Sequence, residues 1–323
     1  MPVIKAFDLA YGRLRSPDLD RQEEFLAAFG MVRAARTDDA LYMRGNGPEH
    51  HIHITERGDP QFIGFAFYAA SEKDLETISG VPGASRVMEI DEPGGGKRVR
   101  MTDPNGWQIE IVHGVETVEP HDEPTRVHNT GGARLARKGD LLRVPSGPSH
   151  VKRLAHVVLR VANLQETLDW YRGMFGLLPS DSFYAGFEDN IIGAFNRVDR
   201  GKAYVDHHTL FCMQTEGDEP TELGHLAYEV TDFDDVQAGH AYLKSKGKYD
   251  HAWGIGRHVL GSQVFDYWLD PWGHVHEHTT DTDMINASHP HSVYPVEVGL
   301  SNQWGPAHPG GSLSKAAMAN RGA

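Results

Sequence analysis

The chain repeats itself, and the repeat limits what it can fold into. Residues 154–178 (LAHVVLRVANLQETLDWYRGMFGLL) and 6–31 (AFDLAYGRLRSPDLDRQEEFLAAFGM) follow one plan. Each has an apolar strand, a polar turn, a helix with apolar residues at helical spacing, then Phe-Gly and another strand. Leu164, Leu168, Tyr171 and Phe175 form the core-facing stripe of one helix, and Leu19, Phe25 and Phe29 that of its counterpart. A second pair, 223–247 and 62–80, repeats strand, acidic turn and helix. Each unit then closes on Asp-Pro-x-Gly and a short strand, DPNGWQIEI at 103–111 and DPWGHVHEH at 270–278. Such units bury their strands by pairing with one another.

The pattern predicts an α+β fold of two domains, each of two βαβββ modules forming a curved, partly closed sheet with outer helices. The modules run over roughly 4–58 and 61–113, then 153–215 and 221–279. The expected organisation is an N-terminal domain over 1–114, a linker over 115–150 and a C-terminal domain over 151–283. The linker is rich in Pro, Gly, Thr and charge. An irregular tail over 284–323 is expected to follow.

Composition excludes several classes. A net charge of −14, from 31 basic and 45 acidic residues, argues against nucleic-acid binding, which draws its affinity from Lys and Arg. The single Cys212 excludes an internal disulfide and a thiolate zinc cluster. No apolar run approaches the ~20 residues that span a bilayer, and no secretory leader is evident. A soluble cytoplasmic protein with no membrane partner is therefore expected. The 20 histidines raise the expectation of a metal site without locating it.

The repeat does the locating. His156 lies inside the apolar strand Leu154–Val161, where the first module has Tyr11 or Ala10. His225 lies inside Leu223–Val230, opposite Gly64 in the second module, and Glu277 matches Glu110. The C-terminal half thus carries His, His and Glu where the N-terminal half keeps only the carboxylate. Two imidazoles and one carboxylate suit Fe(II) with coordination positions left open, so a metal-free N-terminal domain and a catalytic C-terminal one are expected, with one iron per chain. His274, His276 and His278 share the strand of Glu277 and compete with it as ligands.

With AHVVLRV (His156), VDHHTLF (His207, His208), LGHLAYEV (His225), GRHVLGSQVFDYW (His258, Tyr267) and DPWGHVHEH (Glu277) in this order, the C-terminal half resembles the type I extradiol ring-cleavage dioxygenases of the vicinal oxygen chelate superfamily. The resemblance implies Fe(II) held by His156, His225 and Glu277, with a catechol-type substrate and O2 as partners. It also implies His208 as acid/base, with His258 and Tyr267 at the substrate oxygens, and a homo-oligomer. Strand alternation by itself lets one of His207 and His208 face inward without saying which. The first module carries His50-His51-Ile52-His53 in the same place, which points to a structural role as well. Gly261 stands where some members carry an aspartate. Phe183, Tyr184, Phe187 and Phe195 are candidates to pack a ring, with core packing the alternative for most of them, and Trp304 could cover the pocket mouth or anchor the tail. A 4-hydroxyphenylpyruvate-type iron dioxygenase and a non-catalytic binder of small aromatics are the rival readings.

Overall fold

The structure, a computed structural model, describes residues 1–313. In the N-terminal half, the first module is β1 (Ala6–Ser16), α1 (Leu19–Phe29), β2 (Val32–Arg36), β3 (Ala40–Arg44) and β4 (His53–Arg57). The second is β5 (Gln61–Ala69), α2 (Glu72–Ser79), β6 (Met88–Glu89), β7 (Lys97–Thr102) and β8 (Gln108–His113). They share one sheet, ordered β2-β3-β4-β1-β5-β8-β7-β6, with the opening strands β1 and β5 antiparallel at its centre.

The C-terminal half repeats this plan. Its modules are β9 (Val151–Val161), α3 (Leu164–Phe175), β10 (Leu178–Tyr184), β11 (Ile191–Arg197), β12 (Val205–Asp206) and β13 (Leu210–Gln214), then β14 (Glu222–Val230), α4 (Phe233–Ser245), β15 (Asp250–His258), β16 (Val264–Leu269) and β17 (Val275–Thr280). The central order β10-β11-β13-β9-β14-β17-β16-β15 matches the first sheet position for position. The fold is α+β, with two sheets and few helices; neither sheet closes into a barrel.

Local chemistry explains the repeated helix signature. Asp18 caps α1 by accepting from the N–H groups of Asp20 and Arg21, and Asn163 caps α3 by accepting from that of Glu166. The Phe-Gly pair ends each helix: Gly30 and Gly176 take left-handed backbone at φ 117° and 67°. A Cβ on Gly30 would lie 2.2 Å from the Ser149 carbonyl oxygen, so glycine is required there sterically too. The stripes named from the sequence, Leu19/Phe25/Phe29 and Leu164/Leu168/Tyr171/Phe175, are all buried in one apolar core that spans both halves.

The two Asp-Pro turns fasten the halves to each other. Asp270 Oδ1 accepts from the N–H groups of Trp272 and His274, closing its own turn, while Oδ2 accepts from Gln22 of α1. Asp103 does the same with Asn105 and Trp107, and its Oδ2 accepts from the Tyr171 hydroxyl of α3.

The segment 115–150 carries neither helix nor named strand. The tail departs from expectation. It contains β18 (Met284–Ile285), β19 (Ser292–Pro295), α5 (Val296–Gly299) and β20 (Asn302–Trp304), rather than irregular chain. β19 adds in parallel to β10 and β20 adds to β15, so the tail extends both edges of the second sheet. These strands have two to four residues and owe their form to edge hydrogen bonds rather than to a buried face, so no apolar alternation announces them. The part of the expected tail beyond residue 313 lies outside the described residues. Among the described residues, no helix is long and apolar enough to cross a membrane.

Candidate active site

His156 on β9, His225 on β14 and Glu277 on β17 come from three adjacent strands. Glu277 pairs with Ala227, two residues beyond His225, and Ala227 in turn pairs with His156. Their side chains converge: both histidine Nε2 atoms lie 3.0 Å from Glu277 Oε2 and 3.3 Å from each other, and all three residues are buried. Burial alone would raise the Glu277 pKa, but His156 and His225 hold the carboxyl well below the usual range. Burial lowers the pKa of His225, leaving a neutral imidazole. Two imidazole nitrogens and one carboxylate oxygen, aimed at a common point, fit a divalent iron or manganese ion.

The competing histidines point elsewhere. His274 Nδ1 is 3.0 Å from Asp270 Oδ2 in the turn. His276 and His278, one residue either side of Glu277, face the core between the halves, where His278 stacks on Phe29 at 3.7 Å. Period-two alternation therefore separates Glu277 from its neighbours.

A cavity opens over the triad, lined by His156, His225, His208, His258 and Tyr267 on its polar side. Val158, Phe195, Phe211, Met213, Leu260 and Leu300 make its apolar side. His208 turns into this cavity, with its ring 4.3 Å from that of His156, while His207 turns away to Asp181. His208 Nδ1 lies 3.1 Å from His207 Nδ1 and 3.4 Å from Gln263 Nε2. His207 Nε2 lies 2.8 Å from Asp181 Oδ2. Burial and surrounding imidazoles, His156 first, push the His208 pKa well below its ordinary value. A buried, neutral imidazole can accept a proton from a bound hydroxyl.

His258 Nε2 lies 3.1 Å from the Tyr267 hydroxyl, and burial lowers the His258 pKa to about 4. Tyr267 sits directly across the ladder from Glu277. Gly261 has φ 81°, and a Cβ there would meet Gln263 Oε1 at 2.5 Å and His207 Nδ1 at 3.0 Å, so this turn requires glycine.

The N-terminal half fills the equivalent position differently. Ala66 pairs with Glu110 as Ala227 pairs with Glu277. Tyr11, rather than Ala10, takes the place of His156 and donates its hydroxyl to Glu110 at 2.5 Å. Arg13 and Arg100 lie 3.2 and 2.6 Å from the same carboxylate. Gly64 replaces His225, and a Cβ there would fall 1.7 Å from the Gln108 carbonyl oxygen. The His-His pair recurs with the same geometry: His50 and His51 share an Nδ1–Nδ1 contact of 3.0 Å with edge-on rings.

Some candidates fall outside the cavity. Phe195 lines it, whereas Phe183 is wholly buried in the wall behind and Phe187 is exposed. Trp304 packs on Phe233 at 5.8 Å and does not cover the mouth; Leu300, His308 and Leu313 of the tail do. Asp181 and these tail residues carry no periodic signal, because their roles come from tertiary pairing.

Residues 153–278 match the family described as Glyoxalase/Bleomycin resistance protein/Dioxygenase superfamily. The chain is 32% identical over 300 residues to metapyrocatechase 2 of Cupriavidus necator, covering 92% of this chain and 88% of that protein. The Mn(II)-bound glyoxalase from Novosphingobium aromaticivorans shares the fold with TM-score 0.76 at 23% identity, over 94% of this chain and 93% of the other. Homoprotocatechuate 2,3-dioxygenase from Brevibacterium fuscum, in anaerobic complex with 3,4-dihydroxyphenylacetate, does so with TM-score 0.74 at 18% identity, over 95% and 92%. The chain belongs to the extradiol ring-cleavage dioxygenases within the glyoxalase/bleomycin resistance protein/dioxygenase superfamily.

Proposed function

We propose that this protein is an Fe(II)-dependent extradiol dioxygenase that opens the ring of a substituted catechol beside the diol, placing both atoms of O2 in the product. The observation that carries this reading is the convergence of His156, His225 and Glu277 at the floor of a cavity whose polar lining includes His208, His258 and Tyr267. Iron held by the triad would supply the redox chemistry between O2 and the bound ring. The metapyrocatechase relationship supports catechol cleavage; a bound Mn(II) in a relative of the same fold makes manganese the alternative ion.

The chain's own groups divide the remaining work. His208, which faces the cavity, takes a proton from a catechol hydroxyl and returns it as the product forms. His258 and Tyr267 hold the substrate oxygens. The apolar wall packs the ring and excludes water. Arg160, also in the wall, is neutralised by Glu219 and Glu222 at 2.5 and 3.2 Å, so it offers little to a substrate carboxylate. The substrate is accordingly a catechol with a neutral alkyl or aryl substituent.

Metal analysis and oxygen uptake test this reading. Glu277→Ala is expected to lose or weaken metal binding and oxygen uptake while the fold persists by circular dichroism. A metal-replete, active Glu277→Ala protein would remove the triad from the account. A wild-type protein with kcat/KM higher for carboxylated than for neutral alkylcatechols would overturn the substrate class.

A further inference from the structure

Behind the second sheet, on the face away from the catalytic cavity, three side chains from three elements converge. They are His240 of α4, His251 of β15 and Asp266 of β16. His251 Nε2 lies 2.7 Å and His240 Nδ1 3.1 Å from Asp266 Oδ1, and the three candidate ligand atoms fall within 4.8 Å of one another. The carboxylate–imidazole spacing is close to the 3.0 Å of the catalytic triad. Asp266 immediately precedes Tyr267, so alternation along β16 sends the two side chains to opposite faces.

We propose that His240, His251 and Asp266 form a second divalent-cation site, distinct from the catalytic one, for a borderline ion of the zinc class. Three independent features support it. First, Asp266 is wholly buried, and among the described residues its ion-pair partners are these two imidazoles, with no Lys or Arg. A buried carboxylate is costly without a cation, and a bound metal supplies one. Second, the Trp268 indole N–H donates to Asp266 Oδ2 at 2.6 Å, which holds the carboxylate with Oδ1 against His251 and both oxygens 3.1 Å from His240 Nδ1. Such an outer hydrogen bond is what orients a metal-binding carboxylate. Third, the His240 and His251 side chains keep 17% and 25% of their exposure, so an ion can enter and water can complete its coordination.

The chemistry of the set, two imidazole nitrogens and one carboxylate oxygen, suits Zn2+, Co2+ or Ni2+ over Mg2+ or Ca2+. Tetrahedral zinc with ligand bonds of about 2.0–2.2 Å spaces its ligand atoms about 3.3 Å apart; the two imidazole nitrogens lie 2.7 and 3.1 Å from Asp266 Oδ1. A bound ion would clip α4 to the β15–β16 hairpin, behind the strand that carries Tyr267.

The test adds zinc to the metal-loaded protein, removes the excess by desalting and counts both metals per chain. Wild type is expected to gain one zinc while keeping its catalytic metal, with a rise in Tm. His251→Ala and His240→Ala, at partly exposed positions, are each expected to lose that zinc and its Tm rise while retaining the catalytic metal. Zinc gained only at the expense of the catalytic metal would overturn the proposal. So would an equal zinc content in wild type and in whichever variant folds.

Discussion

Glu110 and Glu277 hold the same register position in their sheets and meet different cations. Glu110 is enclosed by Arg13, Arg100 and the Tyr11 hydroxyl, whereas Glu277 meets two imidazoles whose lone pairs can bind an exchangeable ion. The guanidinium network of the first half carries its own pH signature. Burial would raise Glu92, but Arg13 and then Arg98 lower it to about 2 from an ordinary 4.5. A carboxylate depressed in the folded state stabilises the protein above its unfolded pKa and loses that contribution as pH falls from 4.5 toward 2. Glu92→Gln is therefore expected to cost up to about 3 kcal/mol at pH 7, with wild type and variant converging near pH 2 in denaturant unfolding. A constant gap across that range would remove the ion pair as its cause. In the cavity above Glu277, His208→Ala is expected to keep the metal and to lower kcat by about 10²–10⁴-fold, the usual share of a positioned acid/base group. Unchanged turnover would transfer the proton to another residue.

At the scale of elements, the tail strands change what the second sheet can do. β19 and β20 bracket α5, and Leu300 and Leu313 project from this stretch into the cavity. Fully burying a leucine contributes about 1.5–3 kcal/mol, and about 1.4 kcal/mol is tenfold in affinity. A Leu300→Ala/Leu313→Ala double variant is expected to raise KM about tenfold for an aryl-substituted catechol and less for catechol itself, measured by steady-state oxygen uptake. Equal KM changes for both would mean that the tail does not touch the substituent. The helices and long strands were legible because their apolar spacing is imposed by burial, as with Leu164, Leu168, Tyr171 and Phe175. The tail was not, since three- and four-residue edge strands leave no such imprint. Trp304 shows the same limit: its large ring suggested a cover for the mouth, yet it packs against Phe233 on the outer side.

At the scale of the whole molecule, duplication makes the site readable. Single histidines in apolar strands are ambiguous, but His156, His225 and Glu277 stand against Tyr11, Gly64 and Glu110, and register converts that contrast into three positions that meet. What register could not supply was the orientation of the His207-His208 pair. Asp181, which turns His207 aside and so leaves His208 facing the cavity, lies on a strand without any local signature. Duplication also fastens the halves, through Asp103 to Tyr171 and Asp270 to Gln22. Tyr171→Phe is expected to cost about 1–2 kcal/mol in denaturant unfolding, the loss of a buried hydrogen bond, with kcat unchanged. A fall in kcat would show that the junction reaches the active site.

Labelling with ¹⁸O2 tests the central claim most directly. Metal-loaded protein incubated with an alkyl- or aryl-substituted catechol should give a ring-opened product carrying two labelled oxygen atoms, and the Glu277→Ala protein should give none. An intact ring, or a product with a single labelled oxygen, would contradict it.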